Sequence, residues 1–336
     1  MNPFPPTRDA AAEDLPWLIR LDKFVDGQTH DGHEDIVVRS NNSQTSLNEA
    51  VALDLLAEAG VPSQASAPAR FSVNGSDQTL RLIIEHPDDD GWYESVFSGA
   101  GAIYKSESTG DWSYRGDDPD SYNEVFDQEG GSDVADLTPL IALLKFINES
   151  DDATFEAELA DYLDVDSFAT YLAMMELVDN FDDIDGPGNN SYLWWDAETG
   201  RFTVVPWDLN LAFGTMGGGP GGPMGGGPGG GIGSGAPGAP PIGEMPELPQ
   251  EGQITEAGRA GFGRSNVLVT RFHANETFEA LYQKQLEQLR TDLFESGRAT
   301  EILETRTQVL IDQATDLVDE DTIHSESEAI ASRFSG

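Results

Sequence analysis

Residues 189–214 read NNSYLWWDAETGRFTVVPWDLNLAFG, and the ten residues before them, 179–188, read DNFDDIDGPG. SYLWWD and RFTVVP carry the aromatic and β-branched residues of two strands, and AETG between them supplies a turn. Pro206, which cannot donate to a ladder, closes the second strand. An antiparallel hairpin brings its far end back to within about 5 Å of its start. Asn190 at one foot and Asp208 at the other should therefore converge, with Asp182 and Asp183 just upstream at a helix exit. Oxygen donors without His or Cys suit Mg²⁺ better than Zn²⁺. An Asp for an acceptor hydroxyl, a nearby Asn for one metal and an Asp past a strand for another are the parts of a phosphoryl-transfer site. On residues alone, an Asp-rich turn in an acidic protein or a Ca²⁺ loop built on DIDGPGNN stands equally open, although the closing Glu of an EF-hand is absent.

Working outward, PWLIRLD (16–22), DIVVR (35–39) and GAIYK (101–105) read as short strands, and ARFSVNGSDQTLRLIIEH as a hairpin about Asn74-Gly75. SLNEAVALDLLAEAGVP predicts a helix with Ser46 and Glu49 at capping-box spacing and Gly60 and Pro62 as the stop. A polar, aromatic loop is expected over roughly 106–135. Helices follow at TPLIALLKFI, with Thr138 as cap, then at ATFEAELADYL and DSFATYLAMMELV. After the hairpin, residues 217–243 contain 15 Gly and 6 Pro. Such a segment cannot build a core, so 215–250 is expected to be a flexible loop. It has no Lys and no strand–loop–helix context, which excludes a phosphate-cradling P-loop. NETFEALYQKQLEQLRTDLFESG then predicts a long helix capped by Asn275 and stopped by Gly297, with two more helices over 299–318 and 322–334.

The 61 Asp and Glu against 18 Lys and Arg give a net charge of −43, and only four of the cations are Lys. This excludes nucleic-acid binding through a basic face and points to a protein adapted to high salt, where screening shortens to about 3 Å at 1 M. Most carboxylates must then be solvated surface, so position and not abundance selects the chemical ones. With no cysteine, disulfides and thiolate metal sites are ruled out. No apolar run is long enough to span a membrane, and the first residues lack signal-peptide regions. A cytoplasmic monomer is the default expectation. His30 and His33 have ligand-like spacing but sit in a Gly- and Asp-rich loop, Trp194, Trp195 and Trp207 read first as core, and the N-x-S/T sites at Asn148 and Asn275 mean little without an export signal.

DNFDD…NNSYLWWDAETGRFTVVPWDLNLAFG resembles the core signature of the spore coat protein H (CotH) kinase family, N-x-D, then N-x-Y-L-Y, then P-W-D-x-D-x-x-x-G. LIRLDKFVDGQ, LNEAVALDLLAEAGVP, VNGSDQTLRLIIEH and AIYK resemble that family's successive upstream blocks in the same order, and RFHANETFEALY resembles the helix that follows a glycine-rich insertion in some members. The resemblance covers most of the chain, from about Trp17 to the last helices. It implies an α+β, bilobal, atypical protein-kinase-like fold: a small, mostly β lobe at 1–105 and a larger helical lobe at 106–336. It implies ATP and Mg²⁺ as cofactors and Ser or Thr of a protein as acceptor, in a spore-coat or cell-surface setting.

Carried over by position, Asp182, with Asp183 beside it, resembles the catalytic Asp, and Asn190 and Asp208 the metal ligands. Asn210 stands where the family has a second Asp, which removes a negative charge. Arg20, Glu49, Glu85 and Lys105 fall where the resemblance places nucleotide-binding groups, Arg20 standing in for a family Lys. The family's Gly-x-Tyr strand appears as Thr79-Leu80-Arg81. Its initial block, a strand with Arg-x-Lys-Gly, has no counterpart before Trp17, so either the chain starts late or the small lobe is incomplete. These departures keep a second expectation open, a catalytically inactive member acting as a surface, adhesion or structural protein.

Overall fold

The apolar stretches of the first hundred residues pair into one sheet. In the computed structural model, which describes residues 11–108, 110–186, 189–215 and 266–334, strands β1 (Trp17–Arg20), β2 (Asp35–Val38), β3 (Ser66–Phe71) and β4 (Thr79–Glu85) form an antiparallel sheet in the order β1-β2-β4-β3. The β3–β4 hairpin sets Phe71 opposite Thr79. Its turn depends on Asn74 and Gly75, both at positive φ (54° and 84°), the conformation that Asn-Gly adopts at low cost. β1 is the edge strand, and all four of its residues are exposed.

Between β2 and β3 runs α1 (Leu47–Glu58), whose buried residues lie all round its axis. A helix of that kind must be enclosed on every side, and α1 packs against β3, against the turn that follows the quoted hairpin and against two late helices. The expected capping box does not form. Ser46 sits in the left-handed region without a side-chain cap bond, Thr45 Oγ1 accepts the Leu47 N–H at 3.2 Å, and Glu49 turns to a buried cation instead. Pairing with a desolvated guanidinium outweighs the bond of about 1 kcal/mol that a cap provides.

The second sheet is also four-stranded and antiparallel, in the order β6-β5-β7-β8, from β5 (Gly101–Ser106), β6 (Phe126–Gly130), β7 (Ser191–Asp196) and β8 (Phe202–Pro206). The expected hairpin forms, with Ser191 opposite Pro206. β6 lies inside the stretch read as loop: FDQEG has no β-branched residue, and its pairing to β5 decides its conformation. A short helix, α2 (Asp90–Val96), capped by Asp89, also carried no sequence expectation. Three helices precede the hairpin: α3 (Thr138–Glu149), α4 (Asp152–Tyr162) and α5 (Val165–Leu177). Asp151 and Asp164 cap the latter two. Thr138 is not the cap of α3, because the Asp136 carboxylate takes the Thr138 N–H at 2.8 Å.

The Gly/Pro-rich loop expected at 215–250 lies, past Thr215, outside the described residues. Beyond it come α6 (Val267–Ala274), α7 (Glu276–Leu289), α8 (Arg298–Ala314) and α9 (Glu320–Ala331). Asn275 caps α7 as expected, accepting from the N–H groups of Thr277 and Phe278. α7 continues through a π-helical turn to Gly297, whose φ of 87° ends it. One apolar core runs from Val37 through the helices to Ile330. A second cluster of Trp92, Tyr93, Ile103, Tyr192, Trp194 and Val205 fills the other face of β5, β7 and β8, so Trp194 is core as expected. The mixed α+β architecture with antiparallel sheets is the expected one.

Candidate active site

The loop leaving α5 is folded on its own polar groups. Asp183 Oδ1 accepts the Asp185 N–H at 2.9 Å, and the Asp183 carbonyl takes the N–H groups of Gly186 and Asn190 at 3.1 and 3.2 Å. Tyr171 Oη, fully buried, accepts the Ile184 N–H at 3.1 Å. Past the long segment, Asn266 caps α6 and donates through Nδ2 to the Ile184 carbonyl at 3.2 Å, while Asp185 Oδ1 takes its backbone N–H. Asp183 and Asp185 thus each use one carboxylate oxygen to shape the loop. At Gly186 a Cβ would sit 2.5 Å from the Phe181 carbonyl oxygen, so the loop closes only over a glycine.

What the loop presents is Asp182 and Asn190. Both are buried, and Asn190 Nδ2 donates to the Asp182 carboxylate and to the Asp182 carbonyl, each at 3.0 Å. Asn190 Oδ1 is buried with no hydrogen-bond partner, an arrangement that costs about 1–3 kcal/mol unless something accepts it as a ligand. Asn189, at φ 51°, accepts from Trp112 Nε1 and donates to the Glu107 carbonyl, pinning the loop to the chain after β5.

The hairpin then brings the second foot alongside. Trp207 donates its N–H to the Asn190 carbonyl at 3.3 Å, and Asp208 follows in the left-handed region (φ 58°, ψ 58°), buried. A left-handed non-glycine residue is uncommon, and strain of this kind gathers at functional sites. The turn after Asp208 is clamped from two sides. Phe213 N–H reaches the Val178 carbonyl at 2.6 Å, and Asn48 of α1 donates Nδ2 to the Asn210 carbonyl at 2.7 Å. Asn210 contributes its backbone to that clamp, and its side chain is buried.

The cation facing these groups is Arg39. Its backbone N–H pairs with the Leu82 carbonyl at 2.8 Å just past β2. Its Nε donates to Glu49 Oε2 at 3.0 Å, its Nη2 to Asp208 Oδ1, and its guanidinium lies 5.7 Å from the Trp207 ring centre. Although burial works against the charge, Asp208 and Glu49 together hold Arg39 protonated more firmly than a free arginine. Burial, with the nearby Asp208, pushes Glu49 up even against the pull of Arg39.

Arg20, by contrast, lies on the exposed edge strand and meets Asp35 at 3.4 Å. The cation that pairs with Glu49 is Arg39, ten positions before it in sequence. Its signal, a charged residue closing an otherwise apolar strand, was present in DIVVR, but nothing local says that a strand end faces a helix.

Lys105 lies on β5 opposite Tyr192, with Nζ on the Ser106 carbonyl and 5.2 Å from the Tyr192 ring centre. Burial lowers its pKa, while Glu107, Asp88 and Asp208 oppose that. Glu85 is occupied elsewhere, accepting the Ala65 N–H at 2.7 Å and meeting His33 Nε2 at 3.3 Å. His33 is accordingly half-buried, whereas His30 is the expected exposed loop residue.

A second polar group, without a local sequence signal, stands beside Trp207. His86 stands edge-on to the Trp207 ring at 5.4 Å, with its two nitrogens 3.4 Å from Asp35 and from Asp88. Burial raises Asp88 to about 6 and lowers His86. Asn148 is spent on the carbonyls of Trp112 and Leu144, so its glycosylation motif has a structural use.

Among the described residues no three His, Cys, Asp or Glu side chains converge on a point that would hold an ion. Mg²⁺ seldom needs such a cage: one or two carboxylates with substrate phosphates and water suffice. Asp182, Asp208 and Asn190 offer oxygen donors only, the chemistry that Mg²⁺ takes, and Asn190 Oδ1 is buried without a hydrogen-bond partner.

A model of the CotH kinase protein family matches residues 12–328. Among curated proteins, the inner spore coat protein H of Bacillus subtilis strain 168 is 24% identical over 196 residues, which cover 57% of this chain and 53% of that protein. The chain therefore aligns with about half the length of that relative.

Proposed function

The chain belongs to the CotH kinase family, and from that premise we propose that it transfers the γ-phosphoryl group of Mg·ATP to Ser or Thr hydroxyls of a protein substrate. The observation that carries this reading is the buried bridge from Glu49 of α1 through Arg39 to Asp208, with the Asn190–Asp182 pair joined to it by the Trp207–Asn190 backbone bond. Protein kinases place a cation held by a helix Glu, a catalytic Asp, an Asn and a metal-binding Asp in this relation. The kinase-like division into a small lobe, expected at 1–105, and a large lobe is part of the same proposal, although β5 (Gly101–Ser106) pairs with β7 of the later segment. The spore-coat name of the relative makes a coat-like assembly the proposed setting.

In this mechanism Asp208 and Asn190 would hold Mg²⁺, which would neutralise the charge that develops on the transferred group. Asp182, oriented by Asn190 Nδ2, orients the acceptor hydroxyl and takes its proton. Arg39 and the half-desolvated Lys105 are the cations available to the phosphates, and Arg39 does so with a planar fork where a lysine would act as a point charge. Trp207 helps set the spacing, since its ring touches both Arg39 and His86 and its backbone N–H bonds the Asn190 carbonyl next to Asp208.

The test is transfer of radiolabel from Mg·[γ-³²P]ATP to protein, self-labelling included, in molar KCl. Wild type should label, and Asp182→Asn and Asp208→Asn should lose at least about 100-fold, the scale of a removed base or charge stabiliser. Equal labelling by wild type and Asp208→Asn would sink the reading. One observation favours a second reading, an inactive member with a structural role: Asp208 is already engaged by a cation of the chain itself. Absence of labelling by correctly folded wild type would select it.

A further inference from the structure

The metal carboxylate of the proposed site carries an internal counter-ion. Arg39 is buried and shares its charge between two buried carboxylates from different parts of the chain, Glu49 through Nε and Asp208 through Nη2. One positive charge between two negative ones leaves an excess negative charge in a desolvated place, where interactions are several times stronger than in water. We infer that Arg39 is a positioning residue that holds Asp208 ready, and that a divalent cation and Arg39 compete for the Asp208 carboxylate. This rests on the metal role proposed for Asp208.

Three features of the geometry set the terms of that competition. Asp208 Oδ1 is the oxygen Arg39 occupies, so a metal ion must share or displace the guanidinium there. Glu49 keeps its own bond to Nε at 3.0 Å, so Arg39 does not leave when Asp208 is taken from it. Its Nη donors are then released toward an anionic group, which the phosphates of a nucleotide supply. Asn190 Oδ1 is buried and without a hydrogen-bond partner, on the residue whose carbonyl accepts the Trp207 N–H next to Asp208. The consequence is a site that binds a bare divalent cation weakly and binds the cation together with nucleotide well, because only the nucleotide gives Arg39 a new partner.

The experiment is Mn²⁺ binding to the full chain, followed by the electron paramagnetic resonance of free Mn²⁺, first without nucleotide. A guanidinium and a divalent ion on one carboxylate repel each other enough to change affinity about tenfold even at the dielectric constant of water. Arg39→Gln should therefore bind Mn²⁺ at least about tenfold tighter than wild type. Arg39→Lys, which keeps the charge but cannot bridge both carboxylates as a fork, should bind it more tightly by a smaller factor. Asp208→Asn should abolish the binding in every background. Adding a non-hydrolysable ATP analogue should tighten Mn²⁺ binding in wild type and much less in Arg39→Gln.

Equal Mn²⁺ affinity in wild type and Arg39→Gln, with binding still lost in Asp208→Asn, overturns the competition and leaves the metal role of Asp208 standing. Mn²⁺ binding unaffected by Asp208→Asn overturns both. Should Arg39→Gln not fold, Arg39→Lys binding Mn²⁺ no tighter than wild type is the refuting result.

Discussion

Replacing Arg39 and replacing Glu49 should have very unequal costs, although they are two ends of one ion pair. The Arg39 guanidinium touches two carboxylates, and Asp208 and Glu49 also repel each other, as the upward push of Asp208 on Glu49 records. Arg39→Gln removes both attractions and leaves two buried carboxylates facing each other. Stripping a buried pair of one partner costs about 3–5 kcal/mol, and here the repulsion remains as well, so the loss should reach at least the top of that range. Glu49→Gln removes one attraction, but it also removes the repulsion and the desolvation of a carboxylate that is 2% exposed. Gln can still accept from Nε, and the remaining Arg39–Asp208 pair is charge-balanced. Its cost should lie within about 1 kcal/mol of zero. Urea unfolding in 2 M KCl without divalent ions, with both variants and wild type followed by tryptophan fluorescence, measures the two numbers. A loss from Glu49→Gln as large as that from Arg39→Gln would refute the charge count, and so would an Arg39→Gln loss below about 1 kcal/mol.

Gly186→Ala should lower stability by about 1–3 kcal/mol and reduce phosphoryl transfer out of proportion, because the new Cβ meets the backbone of Phe181, Asp182 and Asp183 within 2.7 Å; paired melting and labelling assays check this. Asp88, raised to about 6 from 3.8 chiefly by burial, binds its proton more tightly in the folded chain. Its contribution is therefore stabilising below about pH 4 and is lost as pH rises through about 6. Wild-type stability relative to Asp88→Asn should fall by on the order of 2 kcal/mol between those pH values, and a flat difference would show that Asp88 is not desolvated. With a net charge of −43, the melting temperature should rise steadily from 0.1 M to 2 M KCl as self-repulsion is screened, and a salt-independent melting curve would contradict that account.

Much of the architecture was legible because it is local. Aromatic and β-branched runs, Asn74-Gly75 and the AETG turn placed the hairpins. Capping residues such as Asn275 and stops such as Gly297 marked the late helices. β6 and α2 were not legible: FDQEG becomes a strand because β5 offers it a ladder, and α2 depends on the Asp89 cap. The Ser46–Glu49 box failed for the same kind of reason, a tertiary partner outweighing a local bond.

In the site the division falls between residues joined by a short hairpin and residues joined by the fold. The sequence by itself made the feet of one hairpin neighbours, Asn190 before β7 and Asp208 after β8, and the register of Ser191 opposite Pro206 brings their backbones together through the Trp207–Asn190 bond. It also carried the signature of the CotH family, to which the chain belongs. Only the tertiary structure decided which cation faces them. Arg20 and Arg39 both stand at strand ends, and nothing in local periodicity separates them; the sheet order puts β1 at the solvent edge and β2 inside, between β1 and β4. Arg20 therefore ends beside Asp35, 51% exposed, while Arg39 is drawn into a dry place where two carboxylates need it. A desolvated charge is located by everything that surrounds it, and those surroundings come from segments as far apart as 49 and 208.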